Sequence, residues 1–235
     1  RERMLRNAQE SRQSATTKPS GASEKRRPVS EMAARQLLAL SGLMEGERSL
    51  SLRTVTKHPH QEEALAALRD LGKAFRERRD PWSILLQSDG YGTGKSYLTW
   101  ALVADLCRLG VPAFVLPETR MFALLRAAER GDAEFGSENL RHEWARHALL
   151  VLDDVGTGTP TPFACTELYS LVEWRRRNRR PVIVTTNLDG DALAAWYGVH
   201  GGRIVSRLVE MCRGGQTWIT VEGPDLRLPT SSGAQ

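Results

Sequence analysis

The sequence predicts a doubly wound α/β fold, a parallel sheet with helices on both faces. Three observations predict it. The runs around Leu149–Leu152 and Val182–Val184 are wholly apolar, with no alternation, as strands buried on both faces are. Segments of helical period separate such runs along the chain. A glycine-rich turn joins the apolar run Ile84–Leu86 to one of those helices, and open α/β sheets build sites at that kind of junction.

The elements follow in order. Residues 1–29 carry almost no large apolar side chains, and they read as a disordered basic tail. Ser30 caps a short helix to about Leu43, with Ala33, Leu37, Leu40 and Met44 on one face, and Gly42 and Gly46 break it. Residues 47–59 read as extended. From Gln61 to Arg79 the stripe Ala64, Leu65, Leu68, Leu71, Phe75 is helical, and Pro81 ends it. Strand Ile84–Ser88, a helix Lys95–Leu109 closed by Gly110, and strand Val111–Leu116 come next. A helix Glu118–Arg130 follows, then a polar, partly helical stretch 131–147. Strand Ala148–Asp154, helix Phe163–Arg177 and strand Pro181–Asn187 precede two short helices, Gly190–Tyr197 and Arg203–Met211, and a last strand Gln216–Val221. The predicted organisation is a tail (1–29), a short N-terminal helix and linker suited to partner binding (30–57), one main domain (58–223) and a flexible tail rich in Pro, Ser, Thr and Gly (224–235).

Bulk properties exclude several classes. With 235 residues the chain holds one sizeable domain plus appendages. No apolar run is long enough to span a bilayer, and the N-terminal residues lack an apolar signal core, so a cytoplasmic protein is expected. Cys107, Cys165 and Cys212 are odd in number and far apart, which suits small buried side chains better than a zinc site or a disulfide framework. The net charge of +5 equals that of residues 1–30 alone, so any nucleic-acid surface on the main domain must be a local patch.

The chemistry centres on Gly90-Tyr91-Gly92-Thr93-Gly94-Lys95-Ser96-Tyr97. Glycines let backbone N–H groups form a nest, and the following helix adds free N–H groups and partial positive charge. Lys95 can reach the outer phosphates of ATP and Ser96 can ligate Mg²⁺, as in a P-loop. Asp89 stands where the usual pattern begins with glycine. Asp153, at a strand's carboxyl end about 55 residues on, can hold the metal, and Asp154 can orient or deprotonate the attacking water; a helix cap is the alternative. Asn187 can position water against the γ-phosphate, or simply start a turn. Arg203 and Arg207, one turn apart, supply a further cation or a solvated basic face. The run Arg175, Arg176, Arg177, Arg179, Arg180 suits phosphate binding, or a solvated helix end.

In order and spacing these segments resemble the AAA+ ATPases of the DnaC/DnaI-like helicase-loader group and their IstB-like transposition relatives, from about His58 to Val221. The segments are Gly92–Leu98, Leu149–Gly156, Leu168-Tyr169 with Arg175, Pro181–Leu188 and Gly202–Leu208. The resemblance implies that Lys95 and Ser96 are the Walker A pair, Asp153 the Walker B metal acid, Asp154 the catalytic acid and Asn187 sensor 1. It implies that Arg207, or Arg203, reaches a neighbouring subunit's ATP, and that helix Glu118–Arg130 is the single-strand-binding helix. As in the loader group, no helical lid is expected after the last strand, and that would favour nucleotide-dependent homo-oligomers. The expected partners are single-stranded DNA and a replicative helicase. Alternatives are a transposase as client, a nucleotide-gated DNA-binding module with little turnover, and, less in keeping with these motifs, a small-molecule P-loop kinase.

Overall fold

The computed structural model describes residues 25–132 and 136–228. Of the tail expected to be disordered (1–29), residues 1–24 lie outside that range, while Arg26 N–H donates to Arg76 O at 2.7 Å and Val29 N–H to Arg108 O at 3.2 Å; of the tail expected to be flexible (224–235), residues 229–235 lie outside it, while Leu226 N–H donates to Gly92 O at 3.0 Å. The elements are α1 (Glu31–Ala39), α2 (Glu62–Arg76), β1 (Ile84–Gln87), α3 (Lys95–Arg108), β2 (Ala113–Pro117), α4 (Glu118–Arg130), α5 (Ser137–Arg146), β3 (Leu149–Val155), α6 (Pro162–Arg177), β4 (Val182–Thr186), α7 (Gly190–Trp196), α8 (Gly201–Met211) and β5 (Trp218–Thr220).

All five strands pair in parallel, in the order β2-β3-β4-β1-β5. The apolar runs explain this. Ile84 and Leu86 join one core and Leu85 the other; Leu149 and Val151 join the first, Leu150 and Leu152 the second. The first core lies under α1, α2 and α3, the second under α4 to α8. β1 sits between β4 and β5, so its carboxyl end opens beside those of β4 and, one strand further, β3.

The N-terminal expectations need correction. Ser30 does cap α1, accepting from Ala33 N–H at 3.3 Å, but the helix ends at Ala39. Leu38 and Leu43 face the core, whereas Leu40 and Met44 are exposed. The chain leaves the helix to bond the sheet edge: Val115 N–H on β2 donates to Ser41 O at 2.8 Å. Gly42 turns there at φ +80°, where a Cβ would lie 2.2 Å from Val115 O. Residues 47–59 are not extended either. A 3-10 turn at Glu45–Ser49 and further turns wrap the end of α3, where Arg108 donates to Arg48 O and Leu50 O and Asp105 accepts from Leu52 N–H. Charges on α3 impose this shape, and no period in the linker records them.

Candidate nucleotide site

The loop after β1 is shaped by a residue that pattern matching overlooks. Buried Ser88 accepts from Gly90 N–H at 3.1 Å and donates to Gly90 O at 2.8 Å, which closes the first turn. Gly92 and Gly94 take φ of +68° and +89°, and Gly94 caps α3. The Gln61 amide donates to Thr93 O at 2.8 Å, and a Cβ on Gly94 would lie 2.2 Å from that nitrogen. Glycine at 94 therefore meets two demands, a left-handed backbone and room for the brace. Asp89 is exposed and, like Gly90, is not part of the cavity wall.

Lys95 is buried, with Nζ donating to Asn187 Oδ1 at 2.7 Å. Burial pulls its pKa down, against the pull of Asp154 and Asp153. Asp153 is 3% exposed. Its Oδ1 accepts from the Thr185 hydroxyl at 2.6 Å and its Oδ2 from Trp100 Nε1 at 3.1 Å; the Ser96 side chain bonds it as well. Burial pushes this carboxyl up, and the bonds from Thr185 and Ser96 oppose the shift. Asp154 sits where the β3–β4 register shifts, at φ +52°, with its N–H donating to Thr185 Oγ1 at 2.9 Å. The bulge turns the second acid out of the sheet. Asp153 thus faces inward against Ser96, and Asp154 faces a cavity of about 640 Å³ walled also by Lys95, Ser96, Tyr97 and Asn187.

Around this centre lie residues that the sequence did not single out. Thr56, His58 and Gln61 form one side of the cavity, and Leu226 and Arg227 reach it from beyond β5. Fully buried Glu118, the first residue of α4, accepts from the N–H groups of Gly156, Thr157 and Gly158 at 2.8–3.0 Å and from the Tyr197 hydroxyl. It ties α4 to the loop after Asp154. Burial raises its pKa, opposed by these four donors. Only Glu118's place just after an apolar strand end could have hinted at this.

The arginines divide. Arg175 does not belong to a DNA surface: it is fully buried, and its guanidinium donates to the carbonyls of Trp144, Ala145, His147 and Pro181. Those carbonyls terminate α5 and precede β4, and no spacing in the sequence reveals them. Arg176 and Arg177 pair with Glu173, and Arg176 with Glu210 as well. Arg179 and Arg180 have no carboxylate partner among the described residues and border Trp82 at the amino ends of β1 and β4, opposite the cavity. Arg207 donates to Glu173 at 2.9 Å; Arg203 is exposed, and neither lines this chain's own cavity. Cys107, Cys165 and Cys212 are free thiols and buried, with burial pushing Cys107 up to about 11 and Cys212 to about 12. No described helix is long and apolar enough to cross a membrane.

A five-stranded parallel sheet of this order with a P-loop after β1 and paired acids at the carboxyl end of β3 defines a P-loop ATP-binding protein of the AAA+ fold. A family model, IstB-like ATP binding protein, matches residues 83–233, and the chain belongs to that family. It is 23% identical over 197 residues to the replicative helicase loader DnaC of Buchnera aphidicola (subsp. Schizaphis graminum), covering 83% of this chain and 76% of that protein. It is 29% identical over 163 residues to the putative ATP-binding protein Rv3427c in an insertion sequence of Mycobacterium tuberculosis, covering 69% of this chain and 62% of that one. Among solved structures, DnaI superposes with a TM-score of 0.63 at 18% identity, over 81% of this chain and 98% of that chain. The DnaC helicase loader gives 0.61 at 19%, over 77% and 100%.

Proposed function

We propose that this chain is an ATPase that assembles on single-stranded DNA in a nucleotide-dependent homo-oligomer and places a replicative helicase in the cytoplasm. The observation that carries the reading is the convergence of Lys95, Ser96, Asp154 and Asn187 on one cavity with Asp153 directly behind Ser96. The donor set fits a magnesium-bound triphosphate, because hydroxyl and carboxylate oxygens are the ligands Mg²⁺ prefers. Lys95 and the N–H groups of Gly92, Thr93 and Gly94 hold the outer phosphates; Ser96 and Asp153 hold Mg²⁺, directly or through water. Bound magnesium supplies charge neutralisation across the phosphates.

Asp154 orients a water and takes its proton, and Asn187 positions that water on its other side. Lys95 already donates to Asn187, so the phosphate-binding cation and the water-positioning amide share one frame. The Thr185 hydroxyl donates to the Asp153 carboxylate and accepts from the Asp154 backbone N–H, so both acids take their positions from β4. A cation from a neighbouring subunit, Arg207 or else Arg203, completes the charge stabilisation. Arg179 and Arg180, with Arg176 and Arg177, are the DNA-contacting group; residues 30–57 with the basic tail are the partner-binding segment.

The test is DNA-stimulated phosphate release, with capture of a replicative helicase in the presence of ATP. Lys95→Ala and Asp153→Ala should abolish both turnover and capture; full turnover in either variant would overturn the reading. The insertion-sequence relative and the family match favour one second reading, a targeting helper of a transposase with the same ATP site. Capture of a transposase instead of a helicase selects it.

A further inference from the structure

Three helices end at the amino pole of the sheet, opposite the nucleotide cavity. α2 leads into β1, α6 into β4 and α8 into β5, and these strands are parallel neighbours. Ser83 ties the three approaches together. Its N–H donates to Met211 O at 3.2 Å, its Oγ accepts from Val182 N–H at 2.9 Å, and its carbonyl accepts from the Thr217 hydroxyl at 2.7 Å. Two residues past the end of each helix stands an arginine with a left-handed backbone: Arg78 at φ +53°, Arg179 at +50° and Arg213 at +53°. Asp154 is the one other described non-glycine residue with a positive φ. Glycine is the ordinary residue at such a place, because a side chain strains that backbone. The helix dipoles do not account for the choice, since α2 and α6 already carry cations in their last turns.

These side chains gather around Trp82. The Arg213 guanidinium lies over its ring, 3.7 Å from the centroid. Trp82 also lines a cavity of about 210 Å³ with Arg176, Arg179 and Arg180. Asp80 and Glu210 border the same cavity, and Glu210 is paired with Arg176 at 2.9 Å. Arg79 and Arg177 pair with Glu77 and Glu173, whereas Arg78, Arg179, Arg180 and Arg213 have no carboxylate partner among the described residues. The buried Trp82 Nε1 has no hydrogen-bond partner among them either. An indole N–H can only donate, so this pole offers donors in excess and calls for an acceptor.

We infer that the amino pole binds the phosphate backbone of single-stranded DNA, with Arg78, Arg179, Arg180 and Arg213 as its cations and the Trp82–Arg213 stack as its fixed centre. A guanidinium held flat on a ring keeps its edge donors for a phosphate. No exposed large apolar side chain of the described residues belongs to the cluster, and a membrane-seeking surface carries such side chains beside its cations. The strand then runs on the side of the sheet away from ATP, so DNA and nucleotide do not compete for one face. This site deepens the DNA reading proposed above and rests on it.

Anisotropy of a fluorescent oligothymidylate, with ATP and Mg²⁺ present and salt varied, is measured on the full chain, on Arg78→Gly, and on Arg78→Gly with Arg213→Gly. Glycine keeps the left-handed turns and removes the cations. The double variant should bind about 10–50-fold more weakly at about 0.1 M salt, and its slope of log K against log salt should flatten by about 1.4, or about 0.7 for each lost phosphate contact. Arg78→Gly alone, which leaves the ring stack in place, should melt no lower than the parent and flatten the slope by about 0.7. A parent that takes up no oligonucleotide overturns this site together with the DNA reading above. A parent that binds, beside a double variant equal to it in affinity and slope, overturns the pole alone. Loss of binding confined to phosphatidylserine vesicles, with DNA affinity kept, gives the pole to a membrane surface and overturns the site as well.

Discussion

Thr185 shows how one hydroxyl can organise a site. It donates to Asp153 and accepts from Asp154 N–H, so it spans both acids across two strands. Removing it leaves a buried carboxylate short of a donor and a bulge short of its brace, a cost of about 1–3 kcal/mol. Thr185→Val should therefore lower the unfolding midpoint and cut kcat about 10–100-fold, with ATP affinity changed less than about threefold, since the phosphate nest is untouched. Urea melts, steady-state phosphate release and calorimetry check it, and an unchanged kcat would remove Thr185 from the site. The sequence exposed Lys95, Ser96, Asp153, Asp154 and Asn187 because their types and spacing are rare by chance. Ser88, Gln61, Trp100, Thr185 and Glu118 were silent, because each acts on a partner far along the chain or by an ordinary polar bond.

At the scale of elements, the end of α6 and the turn after it hold two unlike groups of arginines. Arg175 turns inward and terminates α5 through the carbonyls of Trp144, Ala145 and the capping residue His147, while Arg179 and Arg180 lie beyond the end of α6. Arg175→Leu leaves four carbonyls, three of them buried, without their donor, so it should unfold the protein readily, with a loss on the order of 3–5 kcal/mol. Arg179→Ala with Arg180→Ala should leave the melting temperature unchanged, weaken single-stranded DNA binding, and flatten the dependence of log K on log salt. Fluorescence anisotropy across salt concentrations and thermal melts test the pair together. A DNA affinity insensitive to both substitutions would move the nucleic-acid surface elsewhere. Helices and strands were legible to within a few residues wherever a period ran through them, as in α2 and α4. The linker at 47–59 was not, since its turns are imposed by Asp105 and Arg108.

For the whole molecule, pH is the sharpest probe. His147 closes α5 and stacks on Phe114 with ring centroids 4.9 Å apart. Burial holds its pKa down at about 4, against an ordinary value of 6.5. The unfolded chain therefore binds a proton that the folded one refuses, and stability falls as pH drops from 6.5 towards 4. Glu173, held well below the usual carboxylate range by Arg176, Arg177 and Arg207, adds a second loss only below about pH 4.5. Urea melts at pH 7 and pH 5 should show a drop that His147→Phe largely removes; an equal drop in the variant would assign it to other groups.

Along its length the chain itself determined the strand runs, the phosphate loop and the paired acids, because periodicity, glycine placement and charge are local properties. Tertiary structure alone decided that Arg175 is internal, that Asp154 turns outward while Asp153 turns in, and that residues 224–228 return to the P-loop. Burial and long-range pairing depend on which strands become neighbours, and no short window of residues carries that information.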